Sequence, residues 1–147
     1  MSQVEFRMND KFDRLNELYS ELGAAILERF GPGKHEILVY ARAGDMWVGV
    51  SIYHNEGDRI AYSDGVDDIA DIVRDIWYAE PADKRWQEMQ FDLNGAEFHA
   101  QNFFAEELNK RETYIVRRER AVKERFGDKP IYYPPWPDEE APSPDIA

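Results

Sequence analysis

The change of period at Gly31-Pro32-Gly33 constrains the fold more than any other feature of this 147-residue chain. Before it, Phe12, Leu15, Tyr19, Leu22, Ile26 and Phe30 recur at three- and four-residue steps, the spacing of one face of an amphipathic helix over Asn9 to Phe30. Gly31 is placed to end that helix in the left-handed conformation. After it, Ile37-Leu38-Val39-Tyr40-Ala41 and Trp47-Val48-Gly49-Val50-Ser51-Ile52-Tyr53 are β-branched and aromatic runs joined around Gly44-Asp45, the pattern of an antiparallel hairpin. A chain that opens this way has to lay a helix on a sheet.

The pattern continues in the same terms. A third strand is expected from Arg59 to Tyr62, after the turn Asn55-Glu56-Gly57-Asp58. A helix is expected from Val66 to Tyr78, with Ser63 or Asp64 as its N-cap. Glu88 to Leu93 and Ala96 to Ala100 alternate polar and apolar residues on either side of Asn94-Gly95, a strong hairpin signal. The last helix, Thr113 to Phe126, would set Ile115, Val122 and Phe126 on one side and stop at Gly127. The order α-βββ-α-ββ-α predicts an α+β fold, an antiparallel sheet of about five strands with helices packed on it. The length suits one domain, residues 1–133, and 43% apolar with 14% aromatic residues suits a packed core. Pro130-Ile131-Tyr132-Tyr133-Pro134-Pro135-Trp136-Pro137 excludes helix and central strand, so a docked extended segment is expected there, with 134–147 a disordered acidic tail.

Composition removes whole classes of function. A net charge of −12, from 30 acids and 18 bases, disfavours direct contact with nucleic acid or anionic membrane, both of which need clustered Lys and Arg. No apolar run approaches the roughly 20 residues that span a bilayer, and Met1 to Arg7 does not read as a secretory signal, so a cytoplasmic protein is expected. The absence of cysteine removes disulfides, thiolate nucleophiles and cysteine metal sites.

What remains is concentrated charge. Asp64, Asp68, Asp71 and Asp75 fall at helical spacing on one side of the second helix, opposite Val66, Ile69, Val73, Ile76 and Trp77, and from Glu56 to Asp83 nine acids meet two arginines. The helix dipole favours Asp64, Asp67 and Asp68 near the N-terminus by about 0.3–1 kcal/mol each. It does not account for Asp71, Asp75, Glu80 and Asp83, because like charges four residues apart cost a few tenths of a kcal/mol per pair. The expected contact surface is therefore Asp64, Asp68, Asp71, Asp75, Trp77, Tyr78, Glu80 and Asp83, with charges steering and any exposed aromatic ring anchoring a basic protein. The bases of the last helix, Arg117, Arg118, Arg120, Lys123 and Arg125, are interleaved with Glu119, Glu124 and Asp128 and are expected to pair with acids elsewhere in the fold.

Catalytic constellations are sparse. His35, His54 and His99 lack the spacing of a helical metal pair, and an acid/base or metal-dependent enzyme requires strands to bring His54 and His99 together with acids such as Glu56 and Glu97. That enzyme is the alternative reading, and an acidic adaptor is a third. The serines lack a nucleophile elbow, and Gly31-Pro32-Gly33-Lys34 follows a helix instead of opening one, so no phosphate loop is expected. No catalytic residue, metal or cofactor is assigned.

From residue 10 to 133 the chain resembles the YezG-like family of bacterial immunity proteins, the antitoxin partners of secreted polymorphic toxins. The resemblance is carried by Phe12-Asp13-Arg14-Leu15-Asn16-Glu17-Leu18-Tyr19, by the strand ending at Tyr53, by the acidic helix, and by Met89-Gln90-Phe91-Asp92-Leu93 with Glu97-Phe98-His99. It extends through Arg117-Arg118-Glu119-Arg120 to Phe126-Gly127-Asp128-Lys129-Pro130. Where that family often carries a Trp and Tyr pair, this chain reads Ala121-Val122-Lys123-Glu124-Arg125-Phe126. The resemblance implies an α+β protein, without catalysis of its own, that neutralises a toxin, often a nuclease, by binding it. A nuclease is expected to be basic because its substrate is a polyanion, and an acidic inhibitor can mimic that substrate's charge.

Overall fold

The computed structural model describes residues 3–31, 33–65 and 67–134, with side chains from Asp13 onward. The elements run α1 (Gln3–Phe30), β1 (Glu36–Gly44), β2 (Trp47–Asn55), β3 (Ile60–Asp64), α2 (Asp68–Ala79), β4 (Glu88–Asn94), β5 (Glu97–Phe103), α3 (Tyr114–Phe126) and β6 (Ile131–Tyr132), with short 3-10 turns at Ala82–Lys84 and Ala105–Glu107. The α+β class and the order of elements agree with the sequence pattern.

One sheet holds all the strands in the order β5-β4-β1-β2-β3-β6. It is mixed, with six strands, whereas the pattern predicted an antiparallel sheet of about five. The difference is β6, which lies parallel to β3. Gly127, at φ 80°, turns the chain back after α3, and the Ile60 amide donates to the Pro130 carbonyl at 2.9 Å. Proline lacks an amide but keeps its acceptor, so the proline-rich segment can serve only the rim of the sheet. The expected tail lies outside the described residues from 135 onward.

The central strand explains the two-layer burial. β1 pairs with β2 on one side and β4 on the other. Its residues Ile37, Val39, Ala41 and Ala43 join a core with Leu15, Leu18, Leu22 and Ile26 of α1 and Ile69, Val73, Ile76 and Trp77 of α2. Leu38 and Tyr40 join a second core with Tyr53, Ile60 and Ala121, Val122 and Phe126 of α3. A strand covered on both faces needs no polar alternation, which is why Ile37 to Ala41 is an unbroken apolar run.

Three local expectations are corrected. Ser63 and Asp64 belong to β3 and do not cap α2, which starts at Asp68 after Asp67 adopts φ 56° with no side-chain cap. The intervening Gly65 passes so close to β2 that a Cβ would collide with Val50. In the β4–β5 hairpin Asn94 pairs with Glu97, so the two-residue loop is Gly95-Ala96 and not Asn94-Gly95. Gly95, at φ 64°, takes the first central position, where a II′ turn calls for glycine. Finally, α3 buries Ala121, Val122 and Phe126 but leaves Ile115 53% exposed. The α3 N-terminus is capped as expected, Thr113 Oγ1 accepting from the Val116 amide at 3.2 Å.

A buried ion pair ties α3 to the sheet. Glu88, on β4, is 2% exposed, and its carboxylate accepts from Arg117 Nε at 2.9 and 3.0 Å, from Arg117 Nη2, and from the Tyr40 hydroxyl at 2.7 Å. Arg117 Nη1 also donates to the Glu112 carbonyl at 2.8 Å and the Asn109 carbonyl at 3.2 Å, which anchors the loop before α3. Burial, and then the neighbouring Glu88, push the Tyr40 hydroxyl above its ordinary pKa, so it stays a donor. Removing one partner strands the other charge. Arg117→Ala is expected to lower the unfolding free energy in urea by about 3–5 kcal/mol, and the paired change Arg117→Met with Glu88→Gln to restore much of it.

Candidate functional site

The α2 surface is where the sequence placed its charges, and the structure separates them into those that share a face and those that do not. Asp68, Asp71 and Asp75 stand at i, i+3 and i+7 on the exposed side of α2, and Asp67 is exposed immediately before it. Asp71 pairs with Arg74, and Asp68 Oδ1 accepts from the Ile69 amide at 2.9 Å. Asp67 and Asp75 make no ion pair among the described residues. Asp83 is exposed on the 3-10 turn that follows, and Glu80 is half-buried between the two.

Two residues of the expected surface sit elsewhere. Asp64 is on β3, facing Ser51 in register, with Oδ1 accepting from the Tyr62 hydroxyl at 2.6 Å and its carbonyl from Arg29 at 2.9 Å. The β2–β3 ladder holds it in extended backbone, out of the helical stripe. Trp77 is only 9% exposed, and its indole donates to the Trp86 carbonyl at 2.8 Å, so it is a core residue and no anchor. Its place follows from helix phase, one residue past Ile76 and four past Val73.

The aromatic anchor that α2 does present is Tyr78, 40% exposed and three residues beyond Asp75. Its hydroxyl accepts from the Met46 amide at 3.1 Å and donates to Asp45 Oδ1 at 3.0 Å, which pins the tip of the β1–β2 hairpin beside the end of α2. Met46 is 87% exposed and adopts φ 65°, a left-handed conformation rare outside Gly and Asn. Trp47, 50% exposed, lies across the hairpin over Gly44 with the Arg42 guanidinium 5.8 Å from its ring. The Arg85 guanidinium lies 5.0 Å from the Tyr78 ring. Asp45 and Met46 were missed in the sequence, yet the signal was legible, because a long apolar side chain occupied a two-residue turn where a small polar residue or glycine is the rule.

The basic helix α3 is arranged the opposite way. Arg117 pairs with Glu88, Arg120 with Glu112, Lys123 with Asp128 at 3.2 Å and Arg125 with Asp92 at 3.5 Å. Arg118 donates to Ser51 Oγ at 2.9 Å and lies 5.5–6.0 Å from the ring centres of Tyr53, Tyr62 and Tyr114. The bases of α3 are matched within the fold, as their interleaving with acids suggested, while most of the α2 acids face water.

The histidines do not converge as an enzyme would require. His99 on β5 registers with Asp92, which registers with Leu38, whereas His54 registers with Ile37, so His54 and His99 lie on opposite faces of the sheet. Among the described residues no group of three or more metal-binding side chains forms. His54 instead meets His35. His35 Nε2 donates to the Gly31 carbonyl at 3.0 Å, leaving Nδ1 to accept from His54 Nε2 at 3.1 Å, with Phe30 packed 4.6 Å from the His54 ring. This pair closes the end of α1 onto β2.

Burial, and then the neighbouring His35, hold the His54 pKa below its ordinary 6.5, against a smaller opposing pull from Glu56. The unfolded chain therefore takes up a proton more readily than the folded one, so this contribution to stability is complete above pH 6.5 and is lost as the pH falls below it. His54→Gln is expected to flatten the dependence of the urea midpoint on pH between about pH 7 and about pH 5, and a slope equal to that of the parent chain would refute the role. No family model matches the chain, and no curated protein is significantly similar to it.

Proposed function

We propose that this chain is a non-catalytic binding protein of the immunity type, which neutralises a basic toxin domain, with a nuclease as the first candidate. The observation that carries the reading is the unequal treatment of charge. The cations of α3 are matched by internal partners, while Asp67, Asp68 and Asp75 reach solvent along α2, which ends at an exposed Tyr78 joined to an exposed Met46. A contiguous acidic face with an apolar edge supplies the two things a protein partner uses, long-range attraction that speeds encounter and a desolvated anchor that slows escape. The resemblance to YezG-like immunity proteins, read from the sequence, points the same way. A cytoplasmic location, where an incoming toxin would act, belongs to this reading. Among the described residues no helix is long and apolar enough to cross a membrane.

Of the two aromatic residues expected at the contact surface, Trp77 is lost to the core and Tyr78 remains, joined in this proposal by Met46. The remaining contact residues are Asp68, Asp71 and Asp75, with Asp67 and Asp83 at the margins. The enzyme alternative gains nothing from a His54 and His99 pair divided by the sheet.

The test uses the basic C-terminal domain of a secreted protein encoded beside this gene. Reversing Asp68, Asp71 and Asp75 to Lys is expected to slow association by about tenfold or more at low salt and to flatten its salt dependence. An unchanged on-rate and salt slope would remove α2 from recognition.

A further inference from the structure

The two edges of the sheet are treated differently. At the β3 edge, the Pro130-flanked strand β6 pairs with Ile60 and Ala61 and closes part of the ladder. At the other edge β5 presents seven residues, Glu97 to Phe103, and among the described residues no further strand pairs with it. The usual guards are missing. β5 contains no Lys, Arg or Pro, and its single formal charge is Glu97, beside the hairpin turn. Phe98 is 41% exposed, stacked over Phe91 with ring centres 5.2 Å apart.

The pairing pattern makes this edge self-complementary. The closing pair of a two-residue hairpin is hydrogen-bonded, so along β5 the residues whose backbone groups turn away from β4 are Phe98, Ala100 and Asn102. Those three are symmetric about Ala100. We propose that β5 is the dimer interface of this protein, pairing antiparallel with the same strand of a second copy about a two-fold axis at Ala100. Ala100 then faces the partner's Ala100, Phe98 faces the partner's Asn102, His99 faces the partner's Gln101 and Glu97 faces the partner's Phe103. No like charges oppose one another, and the small residue at the axis leaves room for Phe98 to lean over it. The net charge of −12 opposes association of two copies, but the α2 acids lie beyond β4 and β1 from this edge, and at physiological salt exposed charges farther apart than about 8 Å are largely screened.

The experiment is sedimentation equilibrium of the full chain from about 1 µM to about 1 mM, at physiological salt, where a weak to moderate homodimer would declare itself. The parent chain is expected to move from 17.2 kDa toward twice that mass. His99→Lys with Gln101→Lys, both at exposed positions, sets Lys against Lys twice across the axis and is expected to raise the dissociation constant about tenfold or more. His99→Lys with Gln101→Glu sets Lys against Glu twice and is expected to keep or tighten the dimer. A mass of 17.2 kDa throughout, or a dimer indifferent to both pairs of changes, would overturn the proposal. Neither result depends on a toxin, so it leaves the binding reading of α2 to its own test.

Discussion

Everything in this fold is arranged around β1. It is paired on both edges and buried on both faces, so it demands one helical layer beneath and another above. The chain meets that demand with α1 and α2 on one side and α3 on the other. The two layers are unequal. Beneath, the contacts are aliphatic and aromatic. Above, α3 covers the sheet through Tyr40, Tyr53, Tyr114, Arg117 and Arg118, and a buried carboxylate, Glu88, sits in the middle. A buried charge is tolerable only with its partner and its hydrogen bonds in place, so α3 has little freedom in where it docks.

That docking has a consequence for the surface. Because α3 directs Arg117, Arg118 and Arg125 toward the sheet and pairs Arg120 and Lys123 with Glu112 and Asp128, much of the positive charge of the chain is satisfied locally. The acids of α2 have only Arg74 on their own helix. A field of one sign then projects from the α2 side. Tyr78 links this side to the hairpin tip through its bonds to Asp45 and Met46. Holding Met46 at φ 65° costs on the order of 1–3 kcal/mol for a residue with a Cβ, and a turn of Asn-Gly type would avoid that cost. The strained turn displays an apolar side chain to solvent and adds nothing to the core.

The legible parts of this structure were those where periodicity and burial agree. α1 and α3 follow their patterns because each has one face toward a core and the other toward water, and the β1–β2 hairpin follows its own because strands covered on both faces read as unbroken apolar runs. Periodicity failed where a tertiary contact overrode it. Ser63 and Asp64 read as caps because they precede a helical stripe, but the ladder with β2 extends β3 through them and Gly65 has to clear Val50 before the chain can turn. Ile115 read as core at seven residues from Val122, yet the first turn of α3 lies where Tyr114 and Arg117 take the contacts and Ile115 meets solvent. Trp77 falls on the apolar face of α2 by helix phase and with Tyr78 was expected at the contact surface; the indole is buried and donates to the Trp86 carbonyl, which leaves Tyr78 exposed. β6 was unreadable because two residues beside a proline carry no strand period, and only the open rim of β3 decides where they go.

The strand order puts β5 and β4 on one side of β1, and β2, β3 and β6 on the other, while α2 contacts β2 and β1. A two-fold seam at β5 would therefore leave the α2 face and the hairpin tip of each copy uncovered. It would also keep both α1–α2 layers on the same side of a continuous sheet, because directly opposed residues across an antiparallel pair share a face. Two acidic faces would then point the same way from one rigid scaffold. Their separation would be set by the β-ladder, since no flexible linker lies between them. For a partner that carries one basic cleft, such a scaffold takes up two molecules. For a partner that is itself two-fold, it fixes the spacing at which both clefts can be filled together, and that second engagement benefits from a high effective concentration without any new contact.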